Sequence, residues 1–385
     1  MARVLHVFEP PDGGVAQAVA QLAQGLGGHG YEAEVAGPRA AAPYAALAFL
    51  EVPLHRLAFA RGYDAPHRDA RALAQLVQVL QGGRFDLVHC HAAKAGALGR
   101  IAGRLVGVPV LYSPHCLPFV GDVSSPRTRV SLALERALGP LTAALVCVCE
   151  AERRVATDHA LVRAGRATVV RNGARTDIDR ADVDERLLRL RGDGLLVGAV
   201  TVLREQKGLP DLLRAAPRIL AAVPQARIAI VGDGPEREGL ELQAAALGLA
   251  DHPRFALLPY EGPSARHLRA LDLYVLPSWW EALPIGALEA MACGVAQVAT
   301  DVGGTGEAVT GATGRLVAAH DPRALAGAVV DLLRDDAGRR ARALASPRAH
   351  AERFTVERMV GETASLYTRV LSAAASTGRG RRASA

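Results

Sequence analysis

Cysteine, aromatic residues and lysine are all scarce in this 385-residue sequence. The five cysteines form no C-x-x-C pair, which argues against a disulfide framework or a structural zinc site and for a reducing cytosol. Aromatics make up 4% of the chain while hydrophobic residues reach 50%, so the core must be built from alanine, leucine and valine, as in many α/β proteins. No apolar run approaches the length of a membrane span. Met1-Ala2-Arg3-Val4-Leu5-His6-Val7 enters a strand directly, without a signal-peptide pattern. Of the 45 basic residues only Lys94 and Lys207 are lysine. Where arginine is the default, a lysine kept in a loop offers a compact ammonium suited to a phosphate. Chance is the competing reading, most of all for Lys94.

The length suits two domains, each able to bury its own core. The net charge of +6 is unevenly placed. Residues 1–175 hold 19 Lys+Arg against 13 Asp+Glu, and the remainder holds 26 of each. A basic first half fits an anionic membrane surface or an anionic substrate. Nucleic acid fits less well, since no aromatic-interleaved basic strand or recognition helix is visible.

Strand and helix patterns alternate along the whole chain, which implies parallel, doubly wound sheets in two halves. In the first half, strands are expected at 3–8, 31–36, 86–91, 108–112, 143–148 and 167–170. Helices are expected at 15–26, 68–81, 92–106, 127–138 and 150–159, while 38–67 resists assignment. Gly13 and Gly14 belong to the loop before the first helix, whose starting amides can meet a phosphate. Gly25-Leu26-Gly27-Gly28-His29-Gly30 matches G-x-G-x-x-G literally but closes a helix, so it reads as a cap and turn. His89 and His91 share one face of a strand. A metal pair is conceivable there, but no further ligand stands at short spacing. His115 follows a strand at the end where open α/β sheets bind ligands.

The polar run 174–193 reads as a linker. The second half has expected strands at 195–202, 226–231, 271–276 and 314–317, with helices at 209–222, up to 247 and through 322–346. Arg204-Glu205-Gln206-Lys207-Gly208 and Gly232-Asp233-Gly234-Pro235 are loops at strand ends. Gly234 lets the backbone approach a ligand. A last amphipathic helix is expected at 354–372, then a disordered basic tail at 376–385.

Pro277-Ser278-Trp279-Trp280-Glu281-Ala282-Leu283-Pro284 runs from a strand into a helix that Gly294 ends. Glu281 sits in the loop and Glu289 inside the helix, with seven residues between them. The amides between them form an anion site, and a carboxylate inside the helix can accept two hydrogen bonds from a sugar diol. This stretch resembles the E-x7-E signature of retaining GT-B glycosyltransferases, most closely glycosyltransferase family 4. Ala296 to Gly304 resembles that family's next strand and glycine loop, and His91-Ala92-Ala93-Lys94-Ala95-Gly96 its exopolysaccharide branch.

The resemblance implies two Rossmann-like domains facing a central cleft, 1–177 for the acceptor and 178–353 for the donor, with helix 354–372 packing back onto the first. It implies transfer of a sugar, with retention, from a nucleotide sugar such as a UDP-sugar to an acceptor hydroxyl. Lys207 and Arg204 would clamp the diphosphate without a metal or other cofactor, Glu289 would hold the ribose, and Glu281 the transferred sugar. His115 would lie by the reacting carbon, and His91 and Lys94 on the acceptor side. The family's usual arginine would fall at Val202, and glycine is usual at Ala282, so the chain departs from the pattern twice. The expected acceptor is a lipid-linked saccharide, reached from the cytoplasmic membrane face. A small natural product, a nucleotide-sugar epimerase and a non-catalytic binder are the alternatives.

Overall fold

The computed structural model describes residues 1–10, 13–38, 52–59, 65–120, 125–175 and 182–383, with side chains to residue 376. They divide into two compact units, Met1–Gly173 with Val356–Ala385, and Ala174–Thr355.

In the first unit β1 (Ala2–Phe8), β2 (Tyr31–Gly37), β3 (Leu54–Arg56), β4 (Leu87–His91), β5 (Val110–Ser113), β6 (Ala144–Cys147) and β7 (Ala167–Val169) form one sheet, ordered β3-β2-β1-β4-β5-β6-β7. All its pairings are parallel. Its strands are apolar on both faces because helices cover both, as Val4, Leu5, Val7 and Phe8 show by being buried in succession. β3 lies in the stretch that resisted assignment, most of which falls outside the described residues. The literal G-x-G-x-x-G does close a helix, Gly13–Gly25, followed by a 3-10 turn and a left-handed Gly30.

The second unit repeats the order. β8 (Leu195–Val200), β9 (Ala226–Val231), β10 (Phe255–Leu258), β11 (Leu273–Leu276), β12 (Ala296–Thr300) and β13 (Gly314–Val317) run β10-β9-β8-β11-β12-β13, again parallel. β10 was missed from the sequence, because Phe255-Ala256-Leu257-Leu258 is too short a run to separate from a helix end. Each sheet reverses its order once, between β1 and β4 and between β8 and β11. Such switch points are where open α/β sheets hold ligands.

Two expectations need correction. The run 174–193 is not all linker, since Glu185–Arg191 is a helix within the second unit. Residues 176–181 fall outside the described residues. Its polar composition hid one buried anchor, Leu187, and one buried cap, Asp184. Asp184 accepts from Arg186 N at 2.9 Å and Arg186 Nη2 at 2.7 Å, and pairs with His267 Nδ1 at 2.8 Å. Burial pushes this carboxyl up, but Arg186 and His267 outweigh it and hold the group below the usual carboxylate range. The final helix runs Val356–Ala383, past 372 and into the expected tail. Once formed, a helix gains a hydrogen bond for each residue added, and Ala373-Ala374-Ala375 extends it readily. It packs in the first unit, where Tyr31 Oη and Thr368 Oγ1 meet at 2.7 Å.

Asp184→Ala should leave His267 Nδ1, the Arg186 amide and the Arg186 guanidinium without their carboxylate and destabilise the second unit by about 2–4 kcal/mol. Urea unfolding measures this, and a cost below about 1 kcal/mol would show the segment to be loosely attached.

Candidate active site

The second sheet's switch point carries a charged cluster. After β8 the chain turns tightly, with Arg204 N donating to Val202 O at 3.0 Å, and then forms a 3-10 turn, Glu205–Lys207. After β11 comes the loop Pro277–Pro284. The two loops are joined by Trp279 N donating to Gln206 O at 2.8 Å. Gly208 makes this possible: its φ is +58°, and a Cβ there would lie 2.1 Å from Pro277 O.

Lys207 Nζ donates to Glu281 Oε1 at 2.5 Å. Ser278 Oγ donates to the same oxygen at 2.8 Å, and Gln206 Nε2 reaches Oε2 at 3.4 Å. Glu281 is 6% exposed and Glu289 8%. Glu289 rides in the helix Ile285–Ala292, which Pro284 caps and a left-handed Gly294 follows. Burial, and then the charges of Glu289 and Glu281, push the Tyr274 hydroxyl up. Both carboxylates therefore act on one buried phenol. Gly303 lets the next loop close on Glu281, since a Cβ there would lie 1.9 Å from Glu281 O. Trp279 Nε1 donates to Asp211 at 2.7 Å and its ring lies 4.7 Å from that of His320. Gly234 stands beside Leu203, whose N donates to Asp233 O at 2.9 Å.

The first unit places histidines at its own switch point. His6 on β1 and His89 on β4 are direct partners in register, and His91 ends β4. His6 Nδ1 meets His91 Nε2 at 3.0 Å, and His91 Nδ1 meets His115 Nε2 at 3.0 Å. His89 is held by Tyr367 Oη at 2.7 Å and Ser113 Oγ at 2.8 Å. A cavity of about 10 Å³, room for one water, opens among His89, His91, Ser113, His115 and Asn172. His115 and Cys116 have φ of 56° and 136°. Glu152 anchors this strained turn by accepting from Cys116 N at 3.0 Å and Val148 N at 2.8 Å. Gly13 and Gly14, expected in the loop before the first helix, form its first two residues, and Lys94 Nζ lies 2.9 Å from Asp69 Oδ2.

Lys207 and Glu281 are thus brought together, with Glu289 in the helix that follows, as are His91 and His115. Sequence reasoning missed Gln206, Ser278, His6 and Glu152. Gln206 and Ser278 stand within three residues of recognised positions, whereas His6 is 85 residues from His91 and only strand pairing joins them. The third ring that short spacing did not offer is present after all: His6, His89 and His91 bring nitrogens within 4.8 Å of one another. His6 and His91 spend the facing pair on each other.

Two family models match this chain, a glycosyl transferase 4-like domain over residues 13–173 and glycosyl transferases group 1 over 193–335. A D-inositol 3-phosphate glycosyltransferase of Acidothermus cellulolyticus is 34% identical over 336 residues, 81% of this chain and 72% of that protein. The UDP-Gal:alpha-D-GlcNAc-diphosphoundecaprenol alpha-1,3-galactosyltransferase of Escherichia coli is 29% identical over 248 residues, 62% of this chain and 63% of that one. Among solved structures, Anabaena Alr3699/HepE in complex with UDP-glucose matches with a TM-score of 0.81 at 21% identity, covering 96% of this chain and 100% of that chain. The fold is therefore that of the GT-B class, two Rossmann-like α/β domains. Within it, the chain belongs to the glycosyltransferase family of group 1 and 4-like domains. No helix among the described residues is long and apolar enough to cross a membrane.

Burial lowers the histidine pKa values, His6 to about 3 and His115 to about 4, and neighbouring rings add to the effect at His89 and His91. The unfolded chain therefore takes up more protons as pH falls below about 6.5, and stability drops through that window. Glu152 acts oppositely, because burial raises its carboxyl to about 7. Between pH 7 and 5, His6 alone should cost roughly 2 kcal/mol. Urea unfolding at both values should show wild type losing more than His6→Asn by about that amount, and equal losses would contradict a neutral buried His6.

Proposed function

We propose that the protein moves a sugar, with retention at the anomeric carbon, from a nucleoside diphosphate sugar to an acceptor hydroxyl. A UDP-sugar is the simplest donor, given the UDP-glucose complex of the matching fold. The observation that carries this reading is the meeting of Lys207 and Glu281 at the second sheet's switch point, beside the start of the helix that holds Glu289. Without donor, Glu281 neutralises the ammonium. A diphosphate would share its three N–H donors, leaving Glu281 to bind hydroxyls of the transferred sugar and Glu289 those of the ribose.

The barrier lies in breaking the bond from the anomeric carbon to the diphosphate oxygen, where negative charge accumulates. Lys207, Arg204 and the helix amides stabilise that charge, and on this reading no metal is required. The acceptor oxygen bonds to the same face of the carbon, and its proton passes to the departing phosphate oxygen. His115 positions the sugar. Gly13 and Gly14 in the first unit and Gly234 in the second let the backbone approach the donor. His91 lies behind His115, and Lys94 is assigned to the acceptor side.

The acceptor we favour is a lipid-linked saccharide, met at the cytoplasmic membrane face by the basic first half. The galactosyltransferase whose name includes diphosphoundecaprenol supports it. A soluble phosphorylated polyol is the second reading, supported by the relatives named for inositol 3-phosphate. Either would be drawn by the same positive charge.

Release of nucleoside diphosphate should depend on acceptor. An epimerase needs none, and a binder releases nothing. Lys207→Ala should stay folded and lower kcat by about 10²–10³, while Glu289→Ala should raise the KM for donor. Wild-type turnover by Lys207→Ala at saturating donor would overturn the phosphate clamp.

A further inference from the structure

Three imidazoles in the first unit are joined end to end by two contacts of 3.0 Å, His6 Nδ1 to His91 Nε2 and His91 Nδ1 to His115 Nε2. The far nitrogen of the series, His6 Nε2, is buried and has no hydrogen-bond partner among the described residues. We propose that His6 and His91 are positioning residues that fix the tautomer of His115, so that its proton stays on Nδ1 as a donor for the bound sugar. The inference deepens the proposed function and rests on its placing of His115 beside the donor sugar.

Counting protons leaves two arrangements. A neutral imidazole carries one N–H, and all three rings are kept neutral by burial. Each contact needs one proton between its nitrogens. In the first arrangement His6 donates Nδ1–H to His91, and His91 donates Nδ1–H to His115. His115 must then hold its own proton on Nδ1. In the second, His115 donates Nε2–H to His91, and His91 donates Nε2–H to His6. His6 must then carry its proton on the unpartnered Nε2, leaving a buried N–H with nothing to receive it. Such buried orphan donors are rare and costly. The first arrangement leaves only a bare lone pair at that point. What happens at the closed end of the series thereby decides what the open end presents.

The neighbours do not divert the series. His89 lies 4.1 Å from the His91 ring, centroid to centroid, but its two nitrogens meet Tyr367 and Ser113 hydroxyls, each able to donate or accept. Glu152, which borders the His115 turn, spends its two oxygens on Cys116 N and Val148 N.

The test uses the full chain with 15N-labelled histidine. Imaging the imidazole nitrogens by NMR should show His6, His91 and His115 protonated at Nδ1, against the Nε2–H form that a free side chain favours. His6→Leu should release His91 and His115 toward Nε2–H. His6→Asn, whose amide N–H stands near the Nδ1 position, should restore the wild-type pattern. In turnover, His6→Leu should lower kcat roughly tenfold, the worth of one hydrogen bond, with donor KM unchanged and kcat recovering in His6→Asn. Nε2 protonation in wild type, doubly protonated rings, stoichiometric zinc on the purified protein, or an unchanged His115 in His6→Leu would each overturn the relay. Should His6→Leu fail to fold, the wild-type and His6→Asn spectra still decide. Tautomers that respond as expected with kcat unmoved would uphold the relay and refute the place of His115 beside the sugar.

Discussion

An ammonium and a carboxylate 2.5 Å apart, both largely withdrawn from water, hold the ligand end of the second sheet together. Taking two such charges out of water costs several kcal/mol each, and their attraction offsets this only where the remaining donors and acceptors are satisfied. Ser278 and Gln206 satisfy Glu281. A pair of this kind adds little net stability over an apolar substitute. What it does is spatial. The loops after β8 and β11 leave neighbouring strands at the point where the sheet order reverses, and the pair binds them there with the backbone contact from Trp279 to Gln206. The close approach at Gly208 and the closure over Gly303 follow from that join.

The first sheet meets the same topological point with different chemistry. Its switch point lies between β1 and β4, and both strands deliver histidines to it. No carboxylate is in hydrogen-bond contact with His6, His89, His91 or His115 among the described residues, so burial wins and the rings stay uncharged. One unit thus offers fixed charge at its ligand end, and the other offers oriented dipoles. On the proposed reading that division is apt. Charge develops on the departing diphosphate and wants an ammonium, whereas sugar hydroxyls are gripped best by neutral donors and acceptors whose direction is set beforehand.

How far this was legible in the sequence depends on how local the information is. The alternation of apolar strands and helices, the helix begun at Pro284 and the places of Glu281 in the loop and Glu289 in that helix are written within short windows, and each is found in the structure. Lys207 stood out because arginine replaces lysine almost everywhere else. The join between His6 and His91 was not legible, since register across parallel strands is set by the whole sheet. Glu152 stands in the first turn of its helix, where a carboxylate is unremarkable, and only the fold shows it reaching back to Cys116 N. The helix Glu185–Arg191 was hidden because its surface is polar and one leucine carries its burial.

Val202, where the family resemblance places an arginine, tests whether a departure from pattern is a loss of chemistry. The backbone answers in part. Arg204 N donates to Val202 O, a three-residue turn with Leu203 at its centre. Leu203 is wholly buried, while positions 202 and 204 are both half-exposed. A turn of this type draws its first and third residues together on the side away from the buried one. On the proposed reading a guanidinium carried at 204 can serve where one carried at 202 would, its long stem covering the two-residue offset. The cation has then moved along the loop without leaving the diphosphate, and Lys207, held by Glu281, is the other cation of the clamp.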